Sequence, residues 1–174
     1  MTRWERGSRR LYGVMLLLAV VVLLADQLTK WWAVSALSDN ERITVIPSLI
    51  HFRLLYNAGA AFSMGTGATW VFTLTAAAAV IGILYIARRL ASAGWALVLG
   101  ALLGGAMSHL GDRLFREPGP ARGRVVDFID YGPFVGNVAD IALACGCVTL
   151  MLFSLRGVEL AKAPDKESDR VPGV

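Results

Sequence analysis

Four apolar stretches dominate the hydrophobic pattern of this chain, and shorter polar segments separate them. They lie at residues 11–34, 69–87, 94–110 and 138–155. Each is close to the roughly 20 residues that an α-helix needs to cross the hydrocarbon core of a bilayer. The pattern therefore predicts an all-α membrane protein with four transmembrane helices, built as a single integral membrane domain over residues 1–162.

The first apolar stretch begins like a secretory signal peptide, because four arginines within residues 1–10 precede it. It continues to about residue 34, which is longer than the apolar region of a signal peptide. We therefore expect an uncleaved transmembrane helix, with Trp31 and Trp32 at the far membrane interface. Cleavage at the Ala33-Val34-Ser35 tripeptide is the alternative.

The polar segment at residues 35–67 is too long for a simple connection between two helices. Residues 50–56 alternate apolar and polar side chains at first, which is typical of a strand with one buried face, and Pro47 bounds this stretch. Small residues at 57–62 would let the backbone approach a bound molecule closely. We expect a small β-rich platform on the extracytoplasmic membrane surface, and a disordered polar tail at residues 163–174.

Composition and charge agree with a membrane protein. A hydrophobic content of 56% and a mean hydropathy of +0.57 exclude an ordinary soluble domain, and 174 residues are too few for a multi-domain transporter. The net charge of +4 does not indicate nucleic-acid binding, because the arginines lie at helix ends and in loops. Ten basic residues fall in the segments that lie on the same side of the membrane as the two termini, and six fall in the loops on the opposite side. This distribution favours cytoplasmic termini.

The cysteines and histidines do not suggest a metal site. Cys145 and Cys147 lie two residues apart in the last apolar stretch, where helical side chains at this spacing point in different directions. We expect small packing residues rather than a disulfide or a metal pair. The two histidines, His51 and His109, lack the spacing of a zinc site.

Four aspartates, Asp112, Asp127, Asp130 and Asp140, lie between the last two apolar stretches. Carboxylates beside hydrocarbon are costly, so such a group suggests a functional site. Asp127 lies in an apolar, extended segment, and Asp140 follows Asn137, a good N-cap residue, so Asp140 is also a favourable charge at a helix N-terminus. Two facing carboxylates that share a proton can deprotonate water and polarise a carbonyl. Asp130, at an odd separation from Asp127, should point to the opposite face.

Two further acidic residues have nearby cations. Asp26 and Lys30 are one helical turn apart in the favourable order for an ion pair, which indicates a structural pair at the interface. Asp112 directly precedes Arg113, and we expect it to hold that arginine in place.

Five short blocks, in order along residues 11–155, resemble the motifs of the lipoprotein signal peptidases, also called signal peptidase II. They are DQLTK at 26–30, NAGAAF at 57–62, DR at 112–113, VVDF at 125–128 and NVAD at 137–140. By this resemblance, Asp127 and Asp140 take the places of the catalytic aspartate pair. By the same resemblance, the family positions near the substrate or the aspartate pair are taken by Asn57, Arg113 and Asn137. The family's supporting polar positions are taken by Asp26, Lys30 and Asp112.

The resemblance implies an activity and a location. The family cleaves the signal peptide of a prolipoprotein just before a diacylglyceryl-modified cysteine, and the cyclic peptide globomycin inhibits it. It implies no metal and no organic cofactor. We therefore expect a monomeric aspartyl endopeptidase in a bacterial cytoplasmic membrane, with its site at the extracytoplasmic face among membrane lipids.

The sequence departs from the family pattern at two places. Ser108-His109 stands where the family has Gly-Asn, and Gly136 stands where it has Phe. His109 can donate or accept a hydrogen bond like an amide, so we interpret it as a substitute near the substrate, and Phe134 as a replacement for the aromatic ring. These departures leave open an inactive or slow relative that binds lipoproteins. A proton-linked carrier is a further alternative, although carriers place their carboxylates near the middle of the bilayer.

Overall fold

The computed structural model describes residues 3–38, 41–59, 69–90 and 92–160, with side chains from residue 8 onward. Helices and strands follow one another along the chain in this order: α1 (Arg3–Ala36), β1 (Ile43–Ile46), β2 (Ile50–Asn57), α2 (Thr69–Ile86), α3 (Ala93–Phe115), β3 (Val125–Asp130), β4 (Val135–Gly136) and α4 (Val138–Leu155).

Four of the described helices are long and apolar enough to cross a membrane, which confirms the four predicted spans. Two of them are longer than predicted. α1 begins at Arg3, and α3 continues to Phe115 before the Pro- and Gly-rich segment at 117–120 ends it. The last turn of α3 therefore includes Asp112 and Arg113, which extends helical structure into the functional region.

α3 is the central helix, and it packs against α1, α2 and α4. Glycines allow this close approach on two sides. A Cβ at Gly104 would lie 2.6 Å from the carbonyl oxygen of Ala19 on α1, and one at Gly105 would lie 2.7 Å from the Leu143 side chain on α4. Small residues at helix contacts are typical of membrane proteins, where packing replaces the hydrophobic drive between helices.

The outer faces of the helices are apolar and exposed, as lipid contact requires. The cysteines lie on such a face. Cys145 and Cys147 are both free and exposed on α4, a helix of which only a small part is buried in the protein. Their interpretation as small packing residues stays a prediction.

The strands form one antiparallel sheet in the order β1-β2-β3-β4. This confirms the predicted β-rich platform, and Pro47 lies in the turn between β1 and β2. Trp32 near the end of α1 makes edge-to-face contacts with Phe52 of β2 and Phe128 of β3, at centroid distances of 5.5 and 6.2 Å. The sheet is thus packed onto one end of the helix bundle.

Two expectations from the sequence lie outside the described residues. They are the disordered tail at 163–174 and the last three positions of the small-residue segment at 57–62.

Candidate active site

Asp127 lies on the inner strand β3, with both carboxylate oxygens held by amides. It stands opposite Leu55 of β2. Asn57, two residues further along β2, is therefore its diagonal neighbour on the same face and donates from Nδ2 to Oδ2 at 2.9 Å. Asn137, just before α4, donates from Nδ2 to Oδ1 at 2.6 Å. Asp127 is only 2% exposed, so these two neutral donors set the orientation of its carboxylate.

Asp140 lies in the first turn of α4, in a capping box with Asn137. The Asp140 backbone N–H donates to Asn137 Oδ1 at 3.0 Å, and the Asn137 N–H donates to Asp140 Oδ2 at 2.9 Å. The prediction that Asn137 is the N-cap of this helix is confirmed. The other oxygen, Oδ1, lies 3.1 Å from His109 Nε2 on α3. Asn137 therefore contacts both aspartates and fixes the start of α4 relative to β3.

Asp127 and Asp140 line one cavity of about 650 Å³ between α2, α3, α4 and the sheet. Asn57, His109 and Arg113 line it as well. The structure thus brings together two carboxylates, an amide, an imidazole and a guanidinium that are far apart in the sequence. Most of the remaining wall is apolar and includes Phe72, Ala76, Ala79, Leu143 and Ala144.

Asp130, the fourth aspartate of the region, has a different environment. Arg53 Nε donates to its Oδ2 at 2.7 Å, and the Gly132 N–H donates to its Oδ1 at 2.9 Å. This agrees with the expectation that it turns away from Asp127. Asp130 is itself buried, and its carboxylate is paired with Arg53 and Arg42.

The pKa values of the two aspartates on β3, Asp127 and Asp130, are shifted in opposite directions. Burial raises the pKa of Asp127 to about 6; the hydrogen bond from Asn57 opposes the rise, and the charge of Asp140 adds to it. Burial acts in the same direction on Asp130, but the Gly132 N–H and the Arg53 guanidinium outweigh it and hold the pKa of that carboxyl below its usual range. Asp127 is therefore suited to exchange a proton in the mildly acidic to neutral range.

A second group of charged side chains, the buried ion cluster, consists of Asp26, Lys30, Asp112 and Arg116. Lys30 Nζ lies 2.6 Å from Asp26 Oδ2 and 2.7 Å from Asp112 Oδ2, and all three side chains are at most 1% exposed. Arg116 Nε lies 2.6 Å from Asp112 Oδ1. The predicted ion pair between Asp26 and Lys30 is present, and it is part of a cluster of two anions and two cations.

Asp26 connects the buried ion cluster to α4, the helix that carries Asp140. Its Oδ2 accepts from Ser108 Oγ at 2.5 Å, and its Oδ1 accepts from the Ala139 backbone N–H at 2.8 Å. Gln27 donates to Ser108 Oγ at 2.8 Å and to Asp112 Oδ1 at 3.0 Å. Because Ala139 directly precedes Asp140, the ion cluster helps to position the first turn of α4.

The expectation that Asp112 holds Arg113 is wrong. Asp112 pairs with Lys30 and Arg116. Consecutive side chains on a helix point in different directions, so Asp112 and Arg113 do not face each other. Arg113 donates to the backbone carbonyls of Gly123 at 3.0 Å, of Asn57 at 3.2 Å and of Gly59. Its guanidinium therefore joins the end of β2 to the segment before β3, at the rim of the cavity.

Comparison with known proteins groups this chain with one family. The family model described as signal peptidase (SPase) II matches residues 18–156, which is most of the chain. The chain belongs to the signal peptidase II family. The lipoprotein signal peptidase of Mycobacterium tuberculosis (strain ATCC 25618 / H37Rv) is 45% identical over 157 residues, covering 90% of this chain and 78% of that protein. That of Rhodococcus jostii (strain RHA1) is 46% identical over 153 residues, covering 87% and 76%.

Two solved structures share this fold, each with a TM-score of 0.71. Both are described as bacterial membrane enzymes determined by the in meso method. One, at 2.3 Å resolution, is 24% identical, and the match covers 87% of this chain and 95% of that chain. The other, at 1.9 Å, is 26% identical, and the match covers 83% and 94%.

The departures from the signal peptidase II motifs lie around Asp140. Ser108 faces the ion cluster, whereas His109 faces the Asp140 carboxylate. A Cβ at Gly136 would lie 3.0 Å from Asp140 Oδ2 and 3.5 Å from the Phe134 ring. Phe134 lines the cavity, so an aromatic side chain stands beside the position where the family motif has one.

Sequence reasoning missed the roles of Gln27, Ser108 and Arg116. Arg116 was detectable, because it lies one helical turn after Asp112 in a favourable order for an ion pair. Gln27 and Ser108 meet only through the packing of α1 on α3. No three His, Cys, Asp or Glu side chains of the described residues are arranged to hold a metal ion.

Proposed function

We propose that this chain is a membrane aspartyl endopeptidase that removes the signal peptide from diacylglyceryl-modified prolipoproteins, cutting before the lipidated cysteine. The observation that carries the proposal is the pair Asp127 and Asp140, which line one cavity between membrane-spanning helices. Relatives that are 45% identical and are called lipoprotein signal peptidases support the substrate class.

The proposed reaction uses the two carboxyls as a pair that shares one proton. The ionised carboxylate accepts a proton from water, and the water oxygen attacks the scissile carbonyl carbon. The protonated carboxyl hydrogen-bonds the carbonyl oxygen as negative charge develops there. When the tetrahedral intermediate collapses, the proton taken from water is delivered to the nitrogen of the leaving cysteine.

The hydrogen bonds around Asp127 support this mechanism. The neutral amides of Asn57 and Asn137 fix the direction of the carboxyl without adding a cation that would bind its charge. Burial keeps the pKa of Asp127 at about 6, near the pH at which a general acid or base transfers protons efficiently.

The apolar part of the cavity supports a lipid-bearing substrate. Phe72, Ala76 and Ala79 of α2 and Leu143 of α4 line it, within helices that contact hydrocarbon when inserted in a bilayer. A diacylglyceryl group that enters from the membrane would bring its attached peptide bond to the carboxyl pair. Globomycin-type inhibitors would occupy the same cavity.

We place both termini in the cytoplasm of a bacterial cell and the carboxyl pair at the extracytoplasmic face, on the basis of the basic-residue distribution. Single cysteines introduced at Ser38 and Gly119, in a variant lacking Cys145 and Cys147, should react with a membrane-impermeant reagent added to the outside of intact cells. Reaction at either site only after the cytoplasmic side is opened would contradict this orientation.

The proposed function is tested with purified protein and a diacylglyceryl-modified prolipoprotein, with cleavage followed as a gel shift. Asp127→Asn and Asp140→Asn should each lower turnover by about 100-fold or more, because an amide cannot transfer the proton. Asp130→Asn is the matched control, and its turnover should stay within about threefold of wild type. Asp130 forms an ion pair with the half-exposed Arg53, and such a pair contributes little. Globomycin should abolish wild-type cleavage.

Substantial turnover by either dyad variant would rule out the aspartyl mechanism. Binding of the lipidated substrate by the wild-type protein without cleavage would identify an inactive relative instead.

A further inference from the structure

His109 makes a direct contact with the carboxyl pair that the reaction scheme above does not use. It lies on α3, lines the cavity and is 20% exposed, with Nε2 at 3.1 Å from Asp140 Oδ1. The other oxygen of the same carboxylate accepts the Asn137 N–H at 2.9 Å. The two oxygens of Asp140 are therefore held from two different elements of the fold.

Asp140 needs this support more than Asp127 does. Its side chain is 41% exposed, whereas that of Asp127 is buried between two amides. With only the backbone N–H of Asn137 on Oδ2, the carboxylate could rotate about its terminal bond, a torsion that is broad for Asp. A second donor on Oδ1 removes that freedom.

His109 is the cavity side chain whose ring nitrogen can donate a hydrogen bond to Asp140 Oδ1. The titratable and charged groups that face the same cavity are Asp140 and Cys145 from α4, Asp127 from β3, Tyr131 after β3 and Arg113 from α3. The Arg113 guanidinium donates to three backbone carbonyls.

We propose that His109 is a positioning residue for Asp140: it donates from Nε2 to Oδ1 and sets the rotation of the carboxylate. This role rests on the proposed aspartyl peptidase function. It differs from a contact between His109 and the substrate, because it acts on the chemical step rather than on binding.

The test compares His109→Gln with His109→Met, two side chains of similar length of which only glutamine can donate a hydrogen bond. His109→Met should lower kcat by about 10- to 100-fold, as expected for loss of a hydrogen bond to a charged group, with KM within about twofold of wild type. His109→Gln should recover most of the loss, because its Nε2 amide has a reach similar to that of the imidazole Nε2. The control is His51→Leu, which replaces the chain's other histidine, on β2. It should change neither kcat nor KM by more than about twofold.

Recovery by glutamine gives a readout that packing alone would not move, because His109→Gln and His109→Met differ mainly in the hydrogen-bond donor. The difference should appear in kcat and not in KM. A rise in KM with kcat unchanged would show that His109 contacts substrate and would overturn the positioning role. Equal kcat values for wild type, Gln and Met would overturn it as well. Turnover by Asp127→Asn in the same assay would instead overturn the proposed function itself.

Discussion

The protein contains two pairs of aspartates at the same end of its helix bundle, and their surroundings are opposite. Asp26 and Asp112 belong to the buried ion cluster, where Lys30 bridges them and Arg116 adds a second cation. The pair that lines the cavity, Asp127 and Asp140, is instead held by amides, a backbone N–H and an imidazole.

This difference separates a structural role from a chemical one. A carboxylate in direct contact with a cation is held in its charged form and is a poor proton acceptor at neutral pH. A buried carboxylate held by neutral donors keeps its orientation, while burial raises its proton affinity, as the pKa of about 6 for Asp127 illustrates. The same residue type therefore supports the fold in one place and is suited to catalysis in the other.

The two regions are also physically connected. Asp26 of the ion cluster accepts the Ala139 N–H, one residue before Asp140. Damage to the cluster should therefore affect the stability of the bundle and the position of α4, whereas changes to the carboxyl pair should affect catalysis with the fold intact. The predictions below test this division, from the largest expected effect to the smallest.

Lys30→Met should destabilise the protein by about 3–5 kcal/mol, because Asp26 and Asp112 would lose the cation between them while staying buried. Unfolding in mixed micelles with increasing SDS, followed by tryptophan fluorescence, measures this loss. Adding Asp26→Asn to Lys30→Met should recover part of it, because Asp26 is the carboxylate left without a cation, whereas Asp112 keeps Arg116. A loss below about 1 kcal/mol for Lys30→Met would show that the cluster does not have the structural role assigned to it.

The pH dependence of stability should have opposite signs at Asp127 and Asp130. The folded pKa of Asp127 is raised from 3.8 to about 6, so its contribution to stability is fully present below pH 3.8 and is lost as the pH rises through 6. From pH 4 to pH 7, wild type should therefore lose up to about 3 kcal/mol relative to Asp127→Asn. The same unfolding assay at several pH values measures the difference.

Asp130→Asn provides the contrasting control. The folded pKa of Asp130 is lowered, so its contribution is present above pH 3.8 and is lost as the pH falls through the lowered value. For Asp127, the contrary result would be a free energy of unfolding of wild type that increases from pH 4 to pH 7 relative to that of Asp127→Asn. That result would contradict the raised pKa of Asp127.

Ser108→Ala should have the smallest effect, about 1 kcal/mol of stability. The substitution removes the hydroxyl between Asp26 and Gln27, but Lys30 and the Ala139 N–H still contact Asp26. Ser154→Ala is the matched control, since that hydroxyl donates only to the Leu150 carbonyl of its own exposed helix turn. Turnover should stay within about threefold of wild type, because the carboxyl pair keeps its own hydrogen bonds. Loss of cleavage without loss of stability would assign Ser108 to the site rather than to the cluster.

Local sequence patterns determined the elements and several of their ends. Four apolar stretches of spanning length were sufficient to predict the four helices, since the low polarity of a bilayer makes hydrophobic length a strong constraint. The Asn137 cap and the Asp26–Lys30 pair were also predictable, because each depends on residues within one helical turn. The strand at residues 50–57 followed from its alternating pattern, and the motif order was sufficient to recognise the family.

Tertiary structure decided which aspartates meet which partners. Asp112 stands beside Arg113 in the sequence but pairs with Lys30, 82 residues away, because α1 packs on α3 and neighbouring residues on a helix face different directions. His109 meets Asp140 for a similar reason, through the packing of α3 on α4. Partners of this kind depend on the relative rotation and depth of whole helices. Those quantities are set by packing across the bundle, which no local pattern in the sequence records.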